Sequence, residues 1–106
     1  MEVIRFGLGF RVPAENVRIN GGEEGCIRLL LKGIQHKNIS GLTMKWGYDG
    51  DVFVIVIMGG GLGQSRRLYR DVKENREFFD ILAKDMPVIE INRLMKLPEF
   101  ETKREF

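Results

Sequence analysis

LTMKWGYDGDVFVIVIM, residues 42–58, is two β-rich apolar runs joined by Asp49-Gly50, and it leads into GGGLGQ (59–64) and SRRLY (65–69). Asp-Gly is a favoured pair for a two-residue type I′ hairpin, whose central residues both need positive φ. A loop at that pair sets Tyr48 opposite Asp51, Trp46 opposite Phe53, Met44 opposite Ile55 and Leu42 opposite Ile57. These positions make one largely apolar face. Gly47, Lys45 and Thr43 share the other face with Val52, Val54 and Val56. A slip of one residue would mix the two sets, so turn and pattern agree on register. Residues 52–58 are apolar on both sides, as a central strand requires.

Upstream, Ile4, Phe6, Leu8, Phe10 and Val12 alternate with Arg5, Gly7, Gly9 and Arg11, which predicts a strand with one buried face. Pro13 ends it. Val17–Ile19 reads as a short extra strand or part of a crossover, and Asn20-Gly21-Gly22 breaks the chain. Ile27, Leu30, Leu31 and Ile34 then keep helical spacing, with Glu24, Arg28 and Lys32 on the opposite side, which predicts a helix over 23–37. Gly25 and Gly33 each weaken it by about 1 kcal/mol relative to alanine, and His36 falls at its end as a capping cation. Downstream, Val72, Phe79, Leu82 and Met86 form a stripe that predicts a second helix over about 71–86, opened by Asp71 with Glu74 as a capping box or starting earlier at Ser65. Residues 64–69 also fit a strand. Pro87 stops the helix, and Val88–Ile91 suits a last strand.

The resulting order, β-α-β-β-α-β, is that of the ferredoxin-like fold: a single α+β domain, a four-stranded antiparallel sheet and two helices on one face. The rival is a β-meander or barrel with one C-terminal helix, should 26–34 and 64–69 be strands. The globular domain is placed at 1–98, with 99–106 as a charged, mobile tail.

The chain has 106 residues, 43% hydrophobic and 30% charged, with net charge +2, an ordinary globular balance. Its basic excess is mild compared with a dedicated nucleic-acid binder. No apolar run approaches the roughly 20 residues that span a bilayer, and no signal-peptide pattern opens the sequence. Cys26 stands alone, so no internal disulfide forms and a reducing, cytoplasmic setting is expected. Cys26 and His36 together fall short of a zinc site, and no other metal spacing or cofactor motif is present. No paired carboxylates or supported Ser/His/Asp set are found, which leans away from an enzyme.

Two features carry functional readings. Gly59, Gly60, Gly61 and Gly63 precede Ser65, and backbone N–H groups of such a loop can cradle an anion. The spacing matches neither G-x-G-x-x-G nor a Walker A loop. Arg66, Arg67, Arg70 and Lys73 follow at once and can neutralise phosphates, although Asp71, Glu74 and Glu77 interleave with them. The second feature is the outward sheet face expected of this fold: Arg5, Arg11 and Lys45 beside Val52, Val54 and Val56. A flat apolar face of that kind meets a protein partner or a second copy. Base stacking there is disfavoured, because the RNP1 pattern is absent and the aromatics fall on the core rows. The first reading is therefore a non-enzymatic domain that contacts nucleic acid, or a complex that handles it, through the loop and arginines. The second is a protein-interaction module or small inhibitor docking through the sheet face, as a homodimer or on a larger assembly. The third is a phosphate-binding enzyme.

Overall fold

Alternating apolar positions build the sheet. In the computed structural model, which describes residues 5–34, 40–59, 62–74, 83 and 88–106, five strands form one antiparallel sheet: β1 (Phe6–Val12), β2 (Thr43–Asp49), β3 (Val52–Met58), β4 (Val88–Glu90) and β5 (Arg104–Glu105). Their spatial order is β4-β1-β3-β2-β5. The sheet has one strand more than the four expected, and β3, the most apolar, is central.

The hairpin keeps its faces but not its pairing. Asp49 pairs with Val52, Tyr48 with Phe53 and Trp46 with Ile55, so the turn is Gly50-Asp51. Gly50 has φ 65° and no residue other than glycine has positive φ among the described residues. That suits a type II′ turn, which needs glycine only at its first central position. The partners move by two residues, and a shift of two leaves every side chain on its face.

Three helices are described. Pro13, at φ −59°, sits just before α1 (Ala14–Ile19), where a fixed φ favours a helix start. Val17–Ile19 is therefore helical, not a strand. After a corner at Gly21 and Gly22, α2 (Gly22–Ile34) buries Cys26, Ile27, Leu30 and Ile34. The helix α3 (Leu62–Glu74) starts nine residues before Asp71 and buries Ser65, Leu68 and Val72. Asp71 and Glu74 lie inside it, so they form no capping box, and 64–69 is helix and not strand. The rest of the expected second helix, with Phe79 and Leu82, and His36 at the end of the first, lie outside the described residues.

Leu68 and Val72 of α3 join the α2 set over Leu8, Phe10, Val12, Met44, Phe53, Ile55 and Ile57, so both helices cover one sheet face. The other face is not open. Val54 and Val56 are 1% and 0% exposed, beneath Ile91, Leu94 and Phe100, with Ile89, Met95 and Leu97 packed around them. A 3-10 turn at Leu94–Lys96 carries part of this cover. The cover's start is tied to the residue before β1: Ile91 N–H donates to the Arg5 carbonyl at 2.9 Å and Arg5 N–H donates to Asn92 Oδ1 at 2.7 Å. The strand glycines make room. A Cβ on Gly47 would lie 2.8 Å from Glu99 Cβ and 3.1 Å from the Phe100 ring, and one on Gly9 would lie 2.5 Å from Ile89 Cδ1.

The segment 99–106, expected as a charged tail, instead turns back along β2. Arg104 and Glu105 pair with Met44 and Thr43. Phe106 N–H donates to the Leu42 carbonyl, and Gly41 N–H donates to the Phe106 carbonyl, both at 3.0 Å.

Candidate nucleic-acid interface

The exposed side of α3 is set by its buried side. Ser65, Leu68 and Val72 face the sheet, with Tyr69 half-buried beside them. At 100° per residue, the arc opposite holds Gly63, Arg66, Arg67, Arg70, Lys73 and Glu74, and each of these is exposed. Four of the six are cations, with a single carboxylate at the far end of the described helix. The first turn carries no acidic residue. Arg66, Arg70 and Lys73 share one stripe at i, i+4 and i+7, and from 66 to 73 the axis rises about 10.5 Å. The Lys73 ammonium lies 5.9 Å from the centre of the Tyr69 ring.

The glycine segment contributes less than its composition suggested. Gly59 has φ 122°, and a Cβ there would approach the Gly41 carbonyl to 3.1 Å, so this glycine is explained by the chain's exit from β3. Gly60 and Gly61 lie outside the described residues. Gly63 is in the first turn of α3 with nothing within 4 Å of where a Cβ would stand. Ser65 is 4% exposed, turned to the core side of the helix.

The remaining candidates stand elsewhere. Arg11 and Lys45 alternate with residues that face the helices, so they project on the opposite face, away from α3. Arg5 precedes β1 on the same register. Val52, Val54 and Val56 are covered by the segment 89–100 and offer no docking surface, which corrects the expected partner-facing sheet.

Two groups of residues had no sequence signal. Arg93 grips Asp49 with both nitrogens, Nη1 to Oδ1 at 2.9 Å and Nη2 to Oδ2 at 2.5 Å. Its hydrogen bonds, and then its charge and that of Arg11, hold the Asp49 carboxyl below its ordinary value. The second group lines a cleft of about 490 Å³ between α2 and β2: Glu23, Glu24, Ile27, Arg28, Leu31, Trp46 and Arg104. Tyr48 donates its hydroxyl to Glu23 Oε2 at 3.2 Å nearby, and burial together with that carboxylate raises the Tyr48 pKa. Both groups join residues more than 20 positions apart, across pairings that only the folded chain sets.

Cys26 is fully buried, and burial pushes its thiol up. Among the described residues no group of three His, Cys, Asp or Glu side chains is placed to hold a metal ion, and no helix is long and apolar enough to cross a membrane. Compared with protein-family models, curated proteins and solved structures, the chain matches none of them.

Proposed function

We propose that this is a non-enzymatic binding module that takes nucleic acid by its phosphates, on a ferredoxin-like core extended by β5. The observation that carries the reading is the solvent arc of α3, where Arg66, Arg67, Arg70 and Lys73 stand together and exposed. Guanidinium groups give paired donors to phosphate oxygens, and a helix holds them at fixed spacing. The contact is to the backbone, so little sequence preference is expected. The strand order β4-β1-β3-β2 with two helices on one face supports the assignment of the core. A cytoplasmic setting goes with this reading.

The test is a titration of labelled single-stranded RNA, single-stranded DNA and duplex DNA at several salt concentrations. Four phosphate contacts give a slope of log affinity on log salt of about −2.8 for single strands and −3.6 for duplex. The double variant Arg66→Glu with Arg70→Glu should bind much more weakly and lower the slope by about half. Absence of binding at low salt, or binding that the double variant leaves unchanged, refutes the reading.

A further inference from the structure

The edge of β2 is only partly used. Leu42 and Met44 direct their carbonyls outward, where Phe106 N–H and Lys103 N–H donate to them at 3.0 and 3.2 Å. In an antiparallel strand the N–H and C=O of one residue point the same way and the direction alternates along the chain. Trp46 and Tyr48 are therefore the next outward positions. The pairing with β5 stops at Met44, and among the described residues no strand continues it.

The cleft lies beside that edge on the helix side. Trp46 forms its wall from the sheet, and Ile27 and Leu31 form the wall from α2. Its charges are ordered. Glu23 accepts from Tyr48, at the late end of β2, and Glu24 is its neighbour. Arg104 pairs with Met44, at the early end, and Arg28 stands one turn beyond Glu24 on α2. The cleft is thus acidic at one end and apolar in the middle, where Arg28 stands between Ile27 and Leu31 along α2, and Arg104 marks the other end. Its volume falls in the range of about 300–1,000 Å³ typical of ligand sites.

We infer that this edge and cleft bind an extended peptide segment of a protein partner, which adds to β2 at Trp46–Tyr48 as an antiparallel strand. Strand addition supplies main-chain hydrogen bonds, and alternate side chains enter the adjoining groove. The direction fixes the chemistry. A strand antiparallel to β2 runs from the Tyr48 end to the Met44 end, parallel to α2. Its basic residue, opposite Tyr48, meets Glu23 and Glu24, and an apolar residue two positions later rests on Trp46; the paired stretch ends there, because Arg104 already stands opposite Met44. The chain already uses this edge for its own residues 103–106 in the same direction, so a partner strand extends an existing pattern. No residue of α3 lines the cleft, so the site does not depend on the cations of that helix.

Trp46 is the only tryptophan in the chain, so its fluorescence reports the cleft directly. The probe is an end-blocked tetrapeptide with lysine second and leucine fourth, so that it stops short of the place Arg104 holds opposite Met44. Saturable quenching or blue shift is expected. N-methylation of the backbone nitrogen that donates to Trp46 should abolish it, because side-chain contacts survive that change and the strand does not. Glu24→Lys, at an exposed position, should weaken the probe about two- to fivefold, the range of an exposed ion pair lost. A probe with glutamate in place of its lysine should recover the difference. No saturable signal up to millimolar peptide, equal binding of the N-methylated probe, or a fluorescence change that follows self-association of the chain instead of peptide overturns the inference.

Discussion

Replacing Gly25 with alanine sets two physical effects against each other. Gly25 is buried within α2, and helix propensity alone predicts a gain of about 1 kcal/mol. The corner between α1 and α2 predicts the reverse. A Cβ at Gly25 would stand 1.7 Å from the Asn20 carbonyl oxygen and 2.7 Å from its carbon. That oxygen belongs to the backbone and cannot swing away. Asn20 is fixed by its own N–H, which donates to the Asn16 carbonyl at 2.9 Å, and by the turn in which Gly21 N–H donates to Arg18. The two helices must part by more than an ångström. Overpacking of this kind costs about 1–3 kcal/mol where side chains can adjust, and here the obstacle is rigid, so the upper end applies. With the propensity gain subtracted, Gly25→Ala should destabilise by about 2 kcal/mol. For a domain of this size that lowers Tm by about 8–12 °C. Thermal unfolding by circular dichroism, checked by urea unfolding, measures it. Gly63→Ala is the control, because nothing lies within 4 Å of its Cβ position; it should leave Tm level or raise it slightly. A rise in Tm for Gly25→Ala would refute the corner geometry.

Phe100 is 1% exposed against Gly47, so Phe100→Ala should cost about 3–5 kcal/mol and increase binding of an apolar dye as the valine face is uncovered. The Asp49 carboxyl has a lowered folded pKa, so its contribution is present above the ordinary carboxylate value of about 3.9 and is lost as pH falls through the folded value. The difference in urea midpoint between wild type and Arg93→Ala should therefore narrow from pH 7 to pH 3, and an unchanged difference refutes the pairing. The Cys26 thiol is fully buried with a raised pKa, and iodoacetamide should label it only at the rate of unfolding; rapid labelling of the native protein would contradict its position.

The hairpin, the central strand and the stripe on α2 were legible because each is a local pattern with a single period. Leu42, Met44 and Trp46 kept their face even though the turn moved by one residue at each end, since two-residue shifts preserve sides. α3 begins at Leu62, three residues before Ser65, the earlier of the two expected starts, because tertiary contacts of Ser65, Leu68 and Val72 outweigh the poor propensity of glycine-rich sequence. The second face was misread for a more general reason. Gly7, Gly9, Gly47 and the three valines do form a flat apolar surface, as their sequence says. Its occupant is Ile91, Leu94 and Phe100 of the same chain, and these are too short and scattered a set to show periodicity. The arginines of α3 were legible as a group, but their exposure depended on knowing which residues the helix buries.

The cover over the valine face also bears on how the chain is made. Val54 and Val56 emerge during synthesis well before Ile91, Leu94 and Phe100, and translation proceeds at about 5–20 residues per second. For about two seconds or more, a nascent chain that has formed its central hairpin presents one naked apolar surface, and crowded polysomes set many such surfaces side by side. The period of greatest risk for aggregation therefore runs from the emergence of the hairpin to that of Phe100, and a ribosome stalled between Met58 and Ile91 would prolong it.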